Sequence, residues 1–316
     1  MDVFNRAVFV SGPPRSGTTI AARVLNTHPS IFNYIDDHVH ECWALYYYRS
    51  RQGLVQEIRK GQVDKEEARK RLNARHIQDR RLLGIAPSPK TANMPEAPPP
   101  LRPGQPVNEA DKKLQRHNVP LDNLPADWRL CLKSPELSFV LPEIAELFPE
   151  AIFVLVYRPV AEIAESMVRK GRTVKKMAVY QRRWQEEKNS DGSLRPPPGV
   201  PGKWQRLWNG VSDVKRCAIY AASYLESLIN GLNTLDPSRY FVYNHTDFRA
   251  QPELILQALA AFLKLPASGF NGISGMLDAG APHIPAELTA ELSELEDTLG
   301  IKHLETSIKS RCRYLK

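Results

Sequence analysis

The chain has 316 residues, a formal net charge of +8 and 42% hydrophobic residues, which is enough for one large α/β domain or two smaller ones. The modest positive charge suits a polyanionic ligand, a nucleic acid or an acidic surface equally, so net charge alone does not identify the binding partner. The four cysteines show neither CxxC pairing nor a ligand spacing with histidine, which excludes a disulfide framework and a zinc site and favours a reducing compartment.

The sequence shows neither a secretion signal nor a membrane span. The N-terminus is acidic at Asp2, and the first apolar run is too short for the core of a signal peptide. No apolar stretch approaches membrane-spanning length. We therefore expect a cytoplasmic protein without a membrane partner.

A strand, a turn and a helix start follow one another between Ala7 and Thr19. The apolar run Val8–Val10 predicts the strand, and Ser16–Thr27 has the spacing of an amphipathic helix. Unpaired amide hydrogens and the positive end of the helix dipole meet at such a turn. The stretch therefore predicts an anion-binding site.

The turn differs from a P-loop in the place of its cation. Gly12 and Gly17 have the P-loop spacing, but Thr18 stands where a P-loop has lysine. The cation is instead Arg15, inside the loop. The candidate anion-binding residues are Gly12, Pro14, Arg15, Ser16, Gly17, Thr18 and Thr19.

A cluster of titratable side chains follows the second predicted strand, Ser30–Tyr34. Carboxylates and imidazoles are the usual general bases, and a histidine is better poised near neutrality unless burial raises the pKa of a carboxylate. For any single residue, a polar loop without a catalytic role is an equal alternative. The cluster consists of Asp36, Asp37, His38, His40 and Glu41.

The middle of the chain is rich in charge and in proline. Residues 49–81 predict charged helices with ion pairs along their faces. Residues 87–106 are proline-rich, which predicts an extended connection. Because strand signals resume afterwards, we expect a single domain over residues 1–316, with insertions at 43–125 and 172–235.

Two further predicted strands end on cationic residues. Trp128–Leu132 leads to Lys133, and Ala151–Tyr157, a continuous apolar run typical of a buried parallel strand, leads to Arg158. A helix is predicted between these strands over Glu136–Phe148.

The last third of the chain predicts helices around one more strand. The strand is Tyr240–Tyr243, and the helices are Val211–Leu232, Pro252–Leu263 and Ile284–Leu299. The basic tail that follows is expected to be peripheral.

Strands followed by helices recur along the chain, which predicts a three-layer α/β fold with a central parallel sheet flanked by helices. Ligands of such sheets bind beyond the carboxyl ends of the strands. Arg15, Lys133 and Arg158 all follow predicted strands, as does the cluster of acidic and histidine residues. We therefore expect them to converge on one site.

Four segments resemble the sulfotransferases that use 3′-phosphoadenosine-5′-phosphosulfate (PAPS), in the branch with PRSGTT loops that includes tyrosylprotein and many bacterial sulfotransferases. The segments are GPPRSGTT with the trailing NTHP, LCLKSP, LFPEAIFVLVYRPVAEIAESM and YFVYNHTDFRAQPELILQALAAFLKLP. The resemblance implies the P-loop NTPase-like sulfotransferase fold. It is poor at residues 50–125 and 172–235, where this family generally recognises its acceptor.

The resemblance implies two binding sites for the phosphates of the nucleotide. The loop with Arg15 would hold the 5′-phosphosulfate, and Arg158 with Ser166 would hold the 3′-phosphate. Lys133 would stabilise the bridging oxygen as it leaves. Arginine suits the phosphate because its guanidinium is a planar group with several donors.

The resemblance also points to the catalytic base. The position of the catalytic glutamate of the tyrosylprotein branch is occupied by Asp36, so we expect Asp36 to be the base, with His38 as the second choice. A sulfuryl group carries less charge than a phosphoryl group, so side-chain cations and a helix N-terminus suffice and no metal is expected.

Two other functions fit parts of the sequence. A P-loop small-molecule or nucleotide kinase would bind magnesium ATP, but it normally needs lysine in place of Thr18. A non-enzymatic nucleic-acid-binding protein would use the basic helices at 49–81, but no recognition motif accompanies them. The preferred prediction is a sulfotransferase with a small-molecule, glycan or peptide acceptor and no nucleic-acid partner. The acceptor's identity and the oligomeric state, including a homodimer, stay open.

Overall fold

The structure is a computed structural model and describes residues 6–33, 54–70, 128–173, 190–197, 199–270 and 284–315. Within these ranges, five parallel strands form one sheet in the order β2-β3-β1-β4-β5. The strands are β1 (Val8–Ser11), β2 (Ile31–Asn33), β3 (Arg129–Lys133), β4 (Ile152–Tyr157) and β5 (Tyr240–Asn244).

Helices occupy both faces of this sheet. The α-helices are α1 (Thr18–Leu25), α2 (Leu54–Arg59), α3 (65–70), α4 (Leu141–Leu147), α5 (Val160–Thr173), α6 (Gly202–Gln205), α7 (Asp213–Leu232), α8 (His245–Ala250), α9 (Pro252–Leu263), α10 (Ala286–Leu299) and α11 (Ile301–Lys309). Short 3₁₀ helices are Pro135–Phe139, Pro237–Arg239, Ala267–Gly269 and Arg313–Leu315.

Alternate residues of each strand pack on opposite faces of the sheet, as the two-residue period of a strand requires. In β4, Phe153 and Leu155 pack with α4, α5, α7, α10 and α11, whereas Val154 and Val156 pack with α1 and α9. All four side chains are fully buried. The predicted three-layer α/β fold is therefore confirmed, with one core on each side of the sheet.

Strand β1 lies at the centre, between β3 and β4. The register pairs Val10 with Lys133, and Ser11 with Leu155. Because all the strands run in the same direction, their carboxyl ends lie along one edge of the sheet. The residues that follow β1, β3, β4 and β5 are therefore brought to the same side of the molecule.

The predicted helix Glu136–Phe148 is wrong in its continuity. The segment forms a 3₁₀ helix, Pro135–Phe139, and then α4, with Val140 between them at a φ of −137°. Pro142 explains the break, because proline has no N–H and its ring clashes with the carbonyl four residues earlier. In the first turn of α4 the missing N–H costs nothing.

The prediction of a peripheral tail is also wrong. The tail forms α11, whose apolar residues at spacings of three and four lie on one buried face. Cys312 then pairs with Val242 of β5 in a parallel bridge, so the tail lies along β5 at the end of the sheet. The buried residues of α11 are Ile301, Leu304 and Ile308.

Some features are absent from the part of the chain that the structure describes. Its cysteines, Cys131, Cys217 and Cys312, are buried and form no disulfide. None of its helices is both long and apolar enough to cross a membrane. It contains no group of three or more His, Cys, Asp or Glu side chains that could hold a metal ion.

Candidate functional site

The loop between β1 and α1 packs tightly against β4. Gly12 has a φ of 146°, and a Cβ there would lie 1.9 Å from the carbonyl oxygen of Val156. The hydroxyl of Ser16 donates to the same carbonyl at 3.0 Å. Gly17, with a φ of 98°, is the N-cap of α1, so the helix begins at Thr18 and not at the predicted Ser16. Both conformations favour glycine.

Arg15 is the cation of this loop and also its strained residue. Its φ is 70°, in the left-handed region, which costs a residue with a Cβ roughly 1–2 kcal/mol. The Nε of Arg15 donates to the Oγ of Ser166 on α5 at 3.2 Å. Ser166 is buried, so this contact ties the loop to α5.

Lys133 ends β3 beside the loop. The fully buried Ser11 at the end of β1 donates its hydroxyl to the carbonyl of Ser134 at 2.9 Å and pairs with Ser138 Oγ, also at 2.9 Å. The amide of Ser134 in turn donates to the carbonyl of Val10 at 3.0 Å. These contacts fix the turn after Lys133 to the strand that carries the loop.

Arg158 follows β4 and is 8% exposed. Its Nε donates to Oε2 of Glu162 at 2.5 Å, one helical turn further on. Thr246, at the start of α8, donates its hydroxyl to the same oxygen at 3.0 Å. The Glu162 carboxylate thus joins the segments that follow β4 and β5. It accepts one of the five N–H donors of the Arg158 guanidinium and so holds that group in place.

His245, the first residue of α8, lies against the loop from the side of β5. A Cβ on Gly17 would be 2.5 Å from Nδ1 and 2.6 Å from Cγ of its ring. The residue is 5% exposed, and Nδ1 finds no hydrogen-bond partner within the described ranges. Burial, followed by the charges of Arg158 and Arg249, lowers its pKa from 6.5 to about 4. The ring is therefore neutral at pH 7.

The structure brings most of the predicted site residues to the carboxyl edge of the sheet. The loop lies beside β4, and Arg158 follows that strand. One expected pairing differs: the hydroxyl of Ser166 contacts Arg15, while Arg158 is held by Glu162. The predicted base residues Asp36 and His38, with Asp37 and His40 as competitors, lie outside the described residues.

Three residues of this edge were missed from the sequence. In the sequence, Glu162 looks like an ordinary helix residue. His245 and Thr246 follow β5, whose end at Asn244 lies one residue beyond the predicted Tyr243. The rule that singled out Lys133 and Arg158, that residues after parallel strands face the site, applies equally to the residues after β5.

A sequence model described as "Sulfotransferase family" matches residues 7–191, which is more than half of the chain. The match begins one residue before β1 and includes the loop, Lys133 and Arg158. Among curated proteins, no sequence matches the chain.

Several solved structures are similar over nearly the whole chain. The sulfotransferase of Alicyclobacillus acidocaldarius has 14% identity and a TM-score of 0.49, with 96% of each chain covered. The sulfotransferase domain from the curacin biosynthetic pathway has 16% identity and a TM-score of 0.44, covering 92% of this chain and 97% of its own. The sulfotransferase domain of the Synechococcus olefin synthase has 16% identity and a TM-score of 0.41, covering 93% and 94%.

Proposed function

The chain belongs to the sulfotransferase family, and we propose that it transfers a sulfuryl group from PAPS to a hydroxyl or amine of an acceptor. The observation that carries the proposal is the loop itself. Its cation, Arg15, is inside the loop and reaches α5, while Thr18 begins α1 where a kinase has lysine. This arrangement supports a donor with a phosphosulfate more than a magnesium nucleotide.

The conformation of the loop supports the proposal of a phosphate-bearing donor. Gly12 and Gly17 are the positions where a side chain would collide with β4 and with His245, so the backbone approaches its neighbours as closely as it can. The amides at the N-terminus of α1 point toward the loop, where the helix dipole favours an anion. These amides and Arg15 would hold the 5′-phosphosulfate.

Arg158 would hold the 3′-phosphate, with Ser166 nearby on α5. The Glu162 contact occupies Nε of Arg158 and orients the planar guanidinium, which offers further donors to a phosphate. The contact between Arg15 and Ser166 links the loop to α5, the helix that follows Arg158. We propose that one nucleotide spans the loop and Arg158.

The transfer would be a direct in-line displacement. A base, Asp36 or His38 in our proposal, takes the proton of the acceptor as the acceptor oxygen or nitrogen attacks sulfur, and the bond from sulfur to the bridging oxygen breaks. Negative charge then appears on the departing phosphate. Arg15, Lys133 and the loop amides would stabilise that charge, which is the usual way in which fixed donors accelerate such reactions.

Thermal-shift titration tests the donor directly. Adenosine 3′,5′-bisphosphate should stabilise the protein, by about 2.7 kcal/mol at a hundredfold excess over Kd, whereas magnesium ATP and an oligonucleotide should not. Arg158→Ala should reduce this shift, measured against the variant's own melting temperature. Arg169→Ala is the matched control, because Arg169 forms an exposed ion pair with Glu165 at the same i,i+4 spacing. Stabilisation by magnesium ATP alone would overturn the proposal.

A further inference from the structure

His245 is a buried polar side chain that has no role in the proposed reaction. Its ring lies against Gly17, at the N-terminus of α1, and its Nδ1 has no partner in the described part of the chain. The next residue, Thr246, donates to the carboxylate that holds Arg158. His245 therefore lies between the loop and the Arg158 region.

The charges at this position keep the ring neutral before a ligand binds. Arg158 and Arg249 both oppose a further cation there, and burial opposes it more strongly. Glu162 is already paired with Arg158, and Asp247 accepts a hydrogen bond from Tyr314 at 2.8 Å. The charged groups of the surrounding segments are Arg15 in the loop, Arg158 after β4, Glu162 on α5, and Asp247 and Arg249 on α8.

We propose that His245 is an additional donor-site residue, which takes up a proton from solvent when a phosphate-bearing nucleotide binds beside it. The inference rests on the proposed function, since it needs such a ligand in the loop. An incoming anion offsets the two guanidinium charges and so removes part of what opposes the imidazolium. The protonated ring has a donor at both nitrogens, so Nδ1 then carries a hydrogen that can be directed to an acceptor.

Proton uptake fixes the pH dependence of binding. In the free protein the pKa of His245 is about 4, and the proposal requires a higher pKa in the complex. At a pH between these two pKa values, the complex therefore binds more protons than the free protein. The affinity for the nucleotide rises as the pH falls through this range. With full linkage of one proton, the change is about tenfold in Kd per pH unit.

Isothermal titration calorimetry with adenosine 3′,5′-bisphosphate tests this coupling. Titrations in buffers of different ionisation enthalpy give the protons exchanged for the wild type and for His245→Asn, which keeps a polar group but cannot be protonated. His303→Asn, on the exposed surface of α11, is the matched control. The phosphates of the ligand titrate in every case, so only the difference between the proteins is read.

On binding, the wild type and His303→Asn should each take up as much as roughly one proton more than His245→Asn. The affinity of His245→Asn relative to the wild type should fall as the pH is lowered. Equal proton exchange in all three proteins, with binding intact, would overturn the role of His245 and leave the proposed function standing. No binding of the bisphosphate to the wild type would overturn both. If His245→Asn does not fold, the ring NMR signals of His245 in the wild type decide: they should change to the imidazolium form on binding, and unchanged neutral signals would contradict the inference.

Discussion

Gly17 and Gly192 allow the effect of backbone conformation to be separated from the effect of crowding. Both have positive φ, 98° and 80°, but a Cβ on Gly17 would collide with the ring of His245, whereas a Cβ on Gly192 would meet nothing within 4 Å. The loop glycine is thus constrained by its neighbour as well as by its own torsion angles.

We predict that Gly192→Ala lowers the free energy of unfolding by roughly 1–2 kcal/mol, the usual cost of a left-handed residue with a Cβ. Gly17→Ala should cost roughly 1–3 kcal/mol more, because the buried ring must move. It should also abolish stabilisation by adenosine 3′,5′-bisphosphate, whereas Gly192→Ala should retain it. Urea denaturation with and without the ligand measures both. Equal costs for the two substitutions would contradict the described contact.

Single residues could be predicted from the sequence where a strand end identified them. Lys133 and Arg158 were found in this way, whereas Arg15 was found from the glycine spacing of its loop; all three lie at the predicted edge of the sheet. The side-chain contacts that hold this edge together could not be predicted, because their partners are far apart in sequence. The bond from Arg15 to Ser166 joins residues 151 positions apart, and Thr246 meets Glu162 across 84 positions.

The C-terminal segment supports the turn between β5 and α8. The hydroxyl of Tyr314 accepts the amide N–H of Asn244 at 3.1 Å and donates to Oδ2 of Asp247 at 2.8 Å. Asn244 Oδ1 in turn accepts from the amide of Thr246 at 2.7 Å. Tyr314 of the C-terminal segment therefore holds the turn that carries His245 in place.

We predict that Tyr314→Phe destabilises the protein by about 1–3 kcal/mol, because it leaves the N–H of Asn244 without this acceptor. Hydrogen exchange at Asn244 should become faster than the global loss of stability explains. Tyr220→Phe is the control, since it removes a buried hydroxyl that pairs with Tyr224 in α7. Unchanged local exchange in Tyr314→Phe would show that the tail does not support this turn.

Elements with a clear periodicity were predicted well, and those governed by one residue or by tertiary packing were not. The apolar run of β4 and the periodic helices α7 and α9 agree with the structure to within about two residues. The break before α4 depends on Pro142 alone. The helix α11 is short, and its three buried residues gain their place only from the core that they contact.

At the scale of the whole molecule, the parallel sheet places its cationic residues at the same edge. Three neighbouring strands supply them: Arg15 follows β1, Lys133 ends β3, and Arg158 follows β4. The charge of the buried Arg158 is compensated by Glu162. Ligands of parallel sheets bind at this edge, so the positive charge lies where the proposed donor would need it. The sequence could predict this convergence because strand direction alone determines it, whereas nothing in the sequence specifies the acceptor.

The central claim is tested most directly by following the sulfuryl group of labelled PAPS into an acceptor library, with mass spectrometry detecting the added sulfuryl mass. The wild type should transfer the label. Arg15→Ala and Lys133→Ala should lower the rate by about 10²–10³ each while retaining the fold, because each removes a donor to the developing charge. The surface variant Arg169→Ala should transfer at the wild-type rate. Full transfer by Arg15→Ala would contradict the account.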